Sequence, residues 1–265
     1  MAKVFIYPYK QGSRSAMALS QELDAKLIKL EGSKFKGAAD KVVVNWGAGQ
    51  LSPEAARAGR VLNHPDKIAR VANKLSFFRL IEGQAADQRA SIPEFTTNKE
   101  TVRGWLAGGT KLVFARTVLN GHSGRGIVKV TTAGELDTIA DGTLFVKYVP
   151  KRREFRLHCK RRGAQTAVFL VQEKKKSTNT PEVDYHIRSH DNGFVFVRDL
   201  AAPVPPQVST EAVKAFNASE LDFGAVDVIF NELSSQAYVL EINSAPGLEG
   251  STIENYSQAI QSLVE

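Results

Sequence analysis

A mixed α/β architecture built from α+β subdomains is predicted by three features of the sequence. The chain opens on a strand–helix–strand alternation. Its centre, from about residue 111 to 197, is a run of strand patterns separated by turn residues. Near its end two apolar runs, FGAVDVIF and AYVLEIN, read as a hairpin ahead of a last helix. A length of 265 residues, 43% of them hydrophobic, allows one large or two small domains with a sizeable core. With 35 Lys and Arg against 28 Asp and Glu the net charge is +7, which suits a partner bearing phosphates or carboxylates but does not choose among nucleotide, nucleic acid and acidic peptide. A single cysteine, Cys159, excludes an internal disulfide, a zinc cluster and a redox pair, and points to a reducing cytoplasm. The opening MAKVFIYPYK is too short an apolar run for a secretory signal, and no later run approaches the ~20 residues of a bilayer span. A soluble, unprocessed protein without membrane contact is the expectation.

Taken in order, KVFIY at 3 to 7 reads as a strand, Ser13 to Leu23 as a helix carrying Met17, Ala18 and Leu19, and VVVN at 42 to 45 as a buried strand. WGAGQ at 46 to 50 has glycines after a strand but lacks the spacing and the following acid of a dinucleotide fingerprint, and reads as a loop. One continuous helix is expected from Pro65 to Gln84, with Ile68, Val71, Ala72, Leu75, Phe78 and Ile81 on its apolar stripe. Lys67 and Lys74 fall off that stripe, where a lysine is usually solvated. IPEFTT at 92 to 97 is extended, and Asn98 caps a helix through Leu106 that Gly108 and Gly109 close.

Between Lys111 and Val130 one strand enters and another leaves a glycine-rich loop. Gly121, Gly124 and Gly126 permit positive φ and close backbone approach, so successive N–H groups of GHSGRG can cradle a phosphate, with Arg116 or Arg125 adding charge. A plain hairpin tip explains the same residues equally well. The loop has no GK[ST] and a strand follows it, so it is not a Walker loop.

TLFVKYV, EFRLHCK and AQTAVFLVQE then alternate as strands from 143 to 173. Alternation puts Glu154 and Arg156 on one face, opposite Phe155 and Leu157, and sends His158 and Cys159 to opposite faces, which argues against a Cys–His catalytic pair. The basic clusters at 151–153, 160–162 and 174–176 lie at strand ends and read as solvated turns. Residues 177 to 192, with His186, Arg188 and His190, form a polar loop suited to a lid. GFVFV returns to strand, PVPP is a stiff connector, and Ser209 caps a helix to about Leu221. Ser251 to Glu254 has capping-box form and opens a final helix with Ile253, Tyr256, Ile260 and Leu263.

The chemistry concentrates in the hairpin between these last two helices. In VLEIN, Glu241 and Asn243 project to one face, Leu240 and Ile242 to the other. Asp227, flanked by Val226 and Val228, would be costly to bury without a partner. A hard divalent cation such as Mg²⁺ is one such partner, and Asp227, Glu241 and Asn243 offer the oxygen ligands it takes; an ordinary hairpin with solvent-facing acids is the alternative.

A helix bearing Lys74, a strand with a cationic residue, a glycine-rich hairpin, a strand–break–strand with an acid, and a DV…LEIN hairpin follow one another in an order that resembles the ATP-grasp superfamily. The carboxylate–amine ligases are nearest, among them the ribosomal-protein glutamate ligase and D-alanine:D-alanine ligase types, over about residues 65 to 265. The resemblance implies an ATP-grasp fold. Residues 1–65 would be a short Rossmann-like α/β domain ahead of the grasp, 66–147 the N-terminal grasp subdomain with the phosphate loop, and 148–265 the C-terminal subdomain with the metal site. It implies ATP and Mg²⁺ as cofactors, two ions, with Mn²⁺ as a substitute, held by Asp227, Glu241 and Asn243.

The implied nucleotide contacts are Lys74, Gly121, His122, Ser123, Gly124 and Gly126, the Lys147, Tyr148 and Val149 linker at adenine, and Glu154 at the ribose. Arg116 stands where these ligases carry a second lysine and changes a point donor into a fork. Arg188 and Asn243 are implied in catalysis, and Arg156, Arg188, Ser244 and Gly247 in substrate contact. The implied reaction transfers the γ-phosphoryl of ATP to a carboxylate, whose acyl phosphate an amine then attacks. A surplus of cations at Arg156, Arg188 and the clusters at 151–153 and 174–176 points to an acidic amino acid or peptide as substrate. Two alternatives stay open: a grasp-type small-molecule kinase, and a nucleic-acid binder, disfavoured because no aromatic residues interleave with the basic clusters.

Overall fold

The structure is a computed structural model that describes residues 3–120, 124–178, 183–200 and 202–265. Three sheets follow one another along the chain. The first is parallel, in the order β2-β1-β3-β4, from β1 (Lys3–Pro8), β2 (Lys26–Leu27), β3 (Lys41–Trp46) and β4 (Arg60–Leu62), with helices α1 (Arg14–Glu22) and α2 (Pro53–Ala56) between them. Helices α3 (Pro65–Ala72) and α4 (Lys74–Glu82) lead to the second, antiparallel sheet. It is ordered β5-β8-β6-β7, with β5 (Phe95–Thr96), α5 (Lys99–Ala107), β6 (Val113–Arg116), β7 (Ile127–Val130), α6 (Ala133–Asp137) and β8 (Leu144–Lys147). The third, also antiparallel, runs β11-β10-β9-β12-β13 and comprises β9 (Arg153–Arg162), β10 (Gln165–Lys176), β11 (Phe194–Val197), β12 (Phe223–Asn231) and β13 (Gln236–Asn243); α7 (Pro206–Ser219) precedes β12 and α8 (Thr252–Val264) ends the chain.

Four expectations change. The helix expected over 65–84 breaks at Asn73, whose extended backbone ends α3 while its side chain accepts from the Ser76 N–H and so caps α4. The break turns Lys74 inward. Helix α7 starts at Pro206, ahead of Ser209, because proline at the first helical position gives up an N–H that has no helical partner anyway. The capping box expected at Ser251 does not form: Ser251 has helical backbone angles and no capping bond. In β13 the register with β12 skips Leu240, pairing Asp227 with Glu241 but Val228 with Val239. This bulge gives Leu240 a place in the cavity lining instead of the core.

The third sheet buries its two faces against different partners. Phe155, Leu157, Cys159, Val226 and Val228 pack with α3, α4 and α7 in the largest apolar cluster. On the opposite face Phe223 joins Trp46, Tyr256 and Ile260, which ties the third sheet to the first through α8. Asn63, held at φ 57°, fastens the same junction: its amide bonds the Phe223 carbonyl at 2.9 Å and the Asp222 N–H at 2.8 Å. Arg60 reaches the Leu263 carbonyl at 2.6 Å. The first sheet is thereby fixed against α8 and the start of β12, whose Ala225 pairs with Asn243 at the end of β13, and this fixes one wall of the site.

Candidate functional site

A cavity of about 950 Å³ opens between the second and third sheets. Strand pairing builds its floor. Arg156 and Glu241 both oppose Asp227 in the ladder, so the three side chains rise from one face of the third sheet, with Glu154 two residues from Arg156. Lys74, Arg116, Gly124, Lys147, Tyr148, Val149, Glu154, Arg156, Arg188, Asp227, Glu241, Asn243, Ser244 and Gly247 all line the cavity. Gly126 lies outside the lining, packed at φ 73° against Val118. Gly121, His122 and Ser123 lie outside the described residues.

The acids of this floor are matched by cations. Arg156 holds Asp227 through two parallel bonds of 2.7 and 2.8 Å and stacks 4.1 Å over the Phe196 ring. Lys74 meets Glu241 at 2.5 Å, and the Asn243 amide donates to the other Glu241 oxygen at 3.3 Å. Lys74 can do so because the break at Asn73 starts α4 beside the glycine-rich hairpin, where the Lys74 N–H donates to the Leu119 carbonyl at 3.1 Å. Burial opposes the ionisation of Glu241, but Lys74 outweighs it and holds the carboxyl at about 2.

Glu154 is likewise buried, yet Lys174 at 2.6 Å and Lys151 at 3.6 Å keep its carboxyl below the ordinary range. These contacts correct the solvated reading of the basic clusters. The side chains of Lys151 and Lys174 are only 6% and 11% exposed, and Arg153 forms a forked pair with Glu173. In KKK at 174–176 alternation sends Lys174 alone of the first two toward the cavity.

Arg116 differs from its neighbours. Its Nε is buried without a hydrogen-bond partner among the described residues, and burial pulls its pKa down against the attraction of Glu241 and Glu154. Arg188 spends its guanidinium on the Arg152 and Lys151 carbonyls at 2.8 and 3.2 Å, tying the 183–192 segment to the start of β9. Lys147 turns its side chain away to Glu94 at 3.0 Å and over Trp105, leaving its backbone at the cavity.

Sequence reasoning missed Arg198. It lines the cavity, and its Nη2 bonds the Glu249 carbonyl at 3.1 Å and the Thr252 hydroxyl. The period-2 series Phe194, Phe196, Arg198 could have found it, since it shares a face with cavity residues.

No family model matches the chain, and no curated protein matches it. Its backbone is similar to solved structures of low sequence identity that span it almost completely. D-alanyl-alanine synthetase A from Vibrio cholerae matches with a TM-score of 0.69 at 16% identity, over 99% of this chain and 98% of that one. The macrocyclase MdnC from Microcystis aeruginosa, bound with a precursor peptide, matches at 0.65 and 14%, over 100% of both chains. A RiPP-associated ATP-grasp ligase from Chryseobacterium gregarium, in complex with ADP and a leader and core peptide, matches at 0.63 and 14%, over 100% and 97%. The chain has the ATP-grasp fold.

Proposed function

We propose that the protein is an ATP-dependent, ADP-forming carboxylate–amine ligase acting on an amino acid or peptide. The observation that carries this reading is the convergence of Asp227, Glu241, Asn243, Lys74, Arg116 and Glu154 on one cavity of the ATP-grasp fold. Similar folds named above belong to a D-alanyl-alanine synthetase, a macrocyclase bound with a precursor peptide and an ATP-grasp ligase in complex with ADP. The division into 1–65, 66–147 and 148–265 belongs to the same proposal.

The donor set fits Mg²⁺ and ATP. Two carboxylates and an amide sit side by side on adjacent strands, each carboxylate drawing a cation, Arg156 or Lys74, to a set of hard oxygen donors of the kind Mg²⁺ takes. Among the described residues Arg116 Nε has no hydrogen-bond partner and Glu154 Oε2 accepts none beyond its 3.6 Å ion pair with Lys151, which leaves both atoms for a nucleotide. Asp227, Glu241 and Asn243 would hold the metal, which when bound neutralises the phosphates of ATP. Lys74, Arg116 and the glycine-rich hairpin would bind phosphates, the 147–149 backbone adenine, and Glu154 the ribose hydroxyls. In the reaction a substrate carboxylate oxygen bonds to the γ-phosphorus as its bond to ADP breaks. An amine nitrogen then bonds to the acyl carbon, phosphate leaves with the electron pair, and the amine loses a proton. Asn243 and Arg188 would orient the reacting groups.

Incubation with ATP, Mg²⁺ and a panel of amino acids and short peptides should release ADP and free phosphate in equal amounts. Glu241→Gln, which removes a charged ligand, should lower this turnover by 100-fold or more, on the order of 3 kcal/mol. Phosphate retained on a product would instead make the protein a kinase, and normal turnover by the variant would overturn the role of Glu241.

A further inference from the structure

The positive charge of this cavity is unevenly settled. Along its floor Lys74, Arg156, Lys151 and Lys174 are each tied to a carboxylate. At the end bounded by the first sheet the situation reverses. A second cavity of about 290 Å³ lies there, sharing Tyr9, Lys10, Ala245 and Gly247 with the first and lined further by Arg14, Ser15 and Trp46, with no acid in its lining. Lys10 and Arg14 form no ion pair among the described residues. Arg198, which lines the larger cavity and is anchored on Glu249 and Thr252 just past the Ala245 and Gly247 that both cavities share, uses only Nη2, on a carbonyl and a hydroxyl, so its Nε and Nη1 have no hydrogen-bond partner among the described residues. The carboxylate of Glu249, the lining acid that follows the shared loop, pairs with none of the three cations among the described residues.

The loop between the cavities is firmly seated. The Leu248 N–H donates to the Ser15 hydroxyl at 3.0 Å, and Gly47, at φ 82°, lies so close to Ala245 that an added Cβ would come within 2.6 Å of the alanine methyl. Since Ser244 follows Asn243 directly, this loop holds the cationic end in fixed relation to the carboxylate floor.

We infer that this second cavity, with Lys10 and Arg14 in its own lining and Arg198 in the lining of the larger cavity it adjoins, binds a carboxylate of the substrate other than the reacting one, so that the ligase of the preceding section acts on an acidic peptide or amino acid. The inference rests on that ligase reading for its reacting group and not for the anion site. It also relocates the surplus charge: the clusters at 151–153 and 174–176, which suggest an acidic substrate from sequence, are largely neutralised internally, whereas Lys10 in the β1–α1 loop, stacked only on the Tyr9 ring, Arg14 at the start of α1 and Arg198 just past β11 form no ion pair among the described residues. A charge-assisted hydrogen bond contributes about 1.5 kcal/mol or more, roughly tenfold in affinity. Exposed cations of this kind also act at encounter, within the ~8 Å reach of charges at physiological salt.

The test is calorimetric titration of triglutamate and of trialanine into the full chain, with and without ADP and Mg²⁺, at low and high ionic strength. Triglutamate should bind at least about tenfold more tightly than trialanine, with the preference shrinking at high salt. Arg198→Gln and the double variant Lys10→Gln with Arg14→Gln should each weaken triglutamate about tenfold and leave ADP affinity within about twofold. Equal binding of the two peptides, or unchanged triglutamate binding in both variants, would overturn the inference. Failure of ADP to bind alongside variant-sensitive triglutamate binding would overturn the ligase reading and leave the anion site standing.

Discussion

The two walls of the large cavity differ in how their charges are settled. On the third sheet every acid facing the cavity has a cation: Arg156 forks onto Asp227, Lys151 and Lys174 share Glu154, and Lys74 meets Glu241. On the second sheet Arg116 forms neither a hydrogen bond nor an ion pair among the described residues, although its Nε is shut off from water. A buried pair is costly to break because the survivor is left uncompensated, whereas a buried group with no partner already carries its penalty. The first wall therefore reports on stability as much as on function. The second keeps a buried donor that has no partner among the described residues.

The largest expected effect comes from breaking the best pair on the settled wall. Asp227→Ala would strand Arg156 in the floor and should lower unfolding free energy by about 3–5 kcal/mol in urea titrations. Replacing both, with Asp227→Leu and Arg156→Met, should restore most of that loss, since an apolar pair of similar volume avoids the desolvation of both ions. A single variant that loses under about 1 kcal/mol would show that the pair is solvated and the contrast between the walls false.

A second effect sharpens the contrast within one face of the same sheet. His158 lies two residues beyond Arg156, where α8 covers the face; its ring contacts the Tyr256 hydroxyl at 2.9 Å and the Gln172 amide at 2.8 Å. Burial pushes its pKa from 6.5 down to about 4, so the unfolded chain takes up a proton first as pH falls. Its contribution is present above pH 6.5 and is lost as pH drops toward 4, by about 3 kcal/mol. Glu241, held at about 2 against an ordinary 4.5, loses its contribution between about 4.5 and 2, which overlaps the His158 window only at its acid edge, so the two can be separated above pH 4.5. His158→Gln should flatten the stability profile between pH 6.5 and 4; an unchanged slope would mean that the ring is solvated.

What could be read from the sequence depended on whether strand alternation decides a position. Alternation was enough for Asp227, Glu241, Asn243, Glu154 and Arg156, because a ladder converts every second residue into a shared face. Lys74, named by the resemblance, was out of reach of periodicity: off the apolar stripe of a continuous helix a lysine faces solvent, and only the cap at Asn73 and the contact with Leu119 turn it inward. Leu240 escaped because a bulge leaves no mark in a regular apolar run. Lys151 and Lys174 were hidden by composition: a run of basic residues resembles a turn until its alternation along β10 and its distance from Glu154 are seen. The joining of the first sheet to the loop after β13 is a long-range contact, with Ser15 and Leu248 separated by 233 positions, and no local pattern encodes it.

The smallest stability effect is expected at the unsettled wall, and there its dissociation from binding is what matters. Arg116→Met keeps a long, flexible chain on β6 while removing a guanidinium whose Nε has no partner and whose charge is opposed by burial. Part of that penalty is offset by attraction to Glu241 and Glu154, so unfolding free energy should shift by no more than about 1 kcal/mol in either direction. Affinity for ATP with Mg²⁺, measured by titration of the same preparation, should fall about tenfold or more, the loss of one charge-assisted contact to a phosphate. Asp227→Ala should show the opposite ratio, losing far more stability than can be assigned to any bound ligand. If Arg116→Met were to cost as much stability as Asp227→Ala while leaving nucleotide affinity intact, Arg116 would belong to the scaffold, and the distinction between the two walls would fail at its most exposed point.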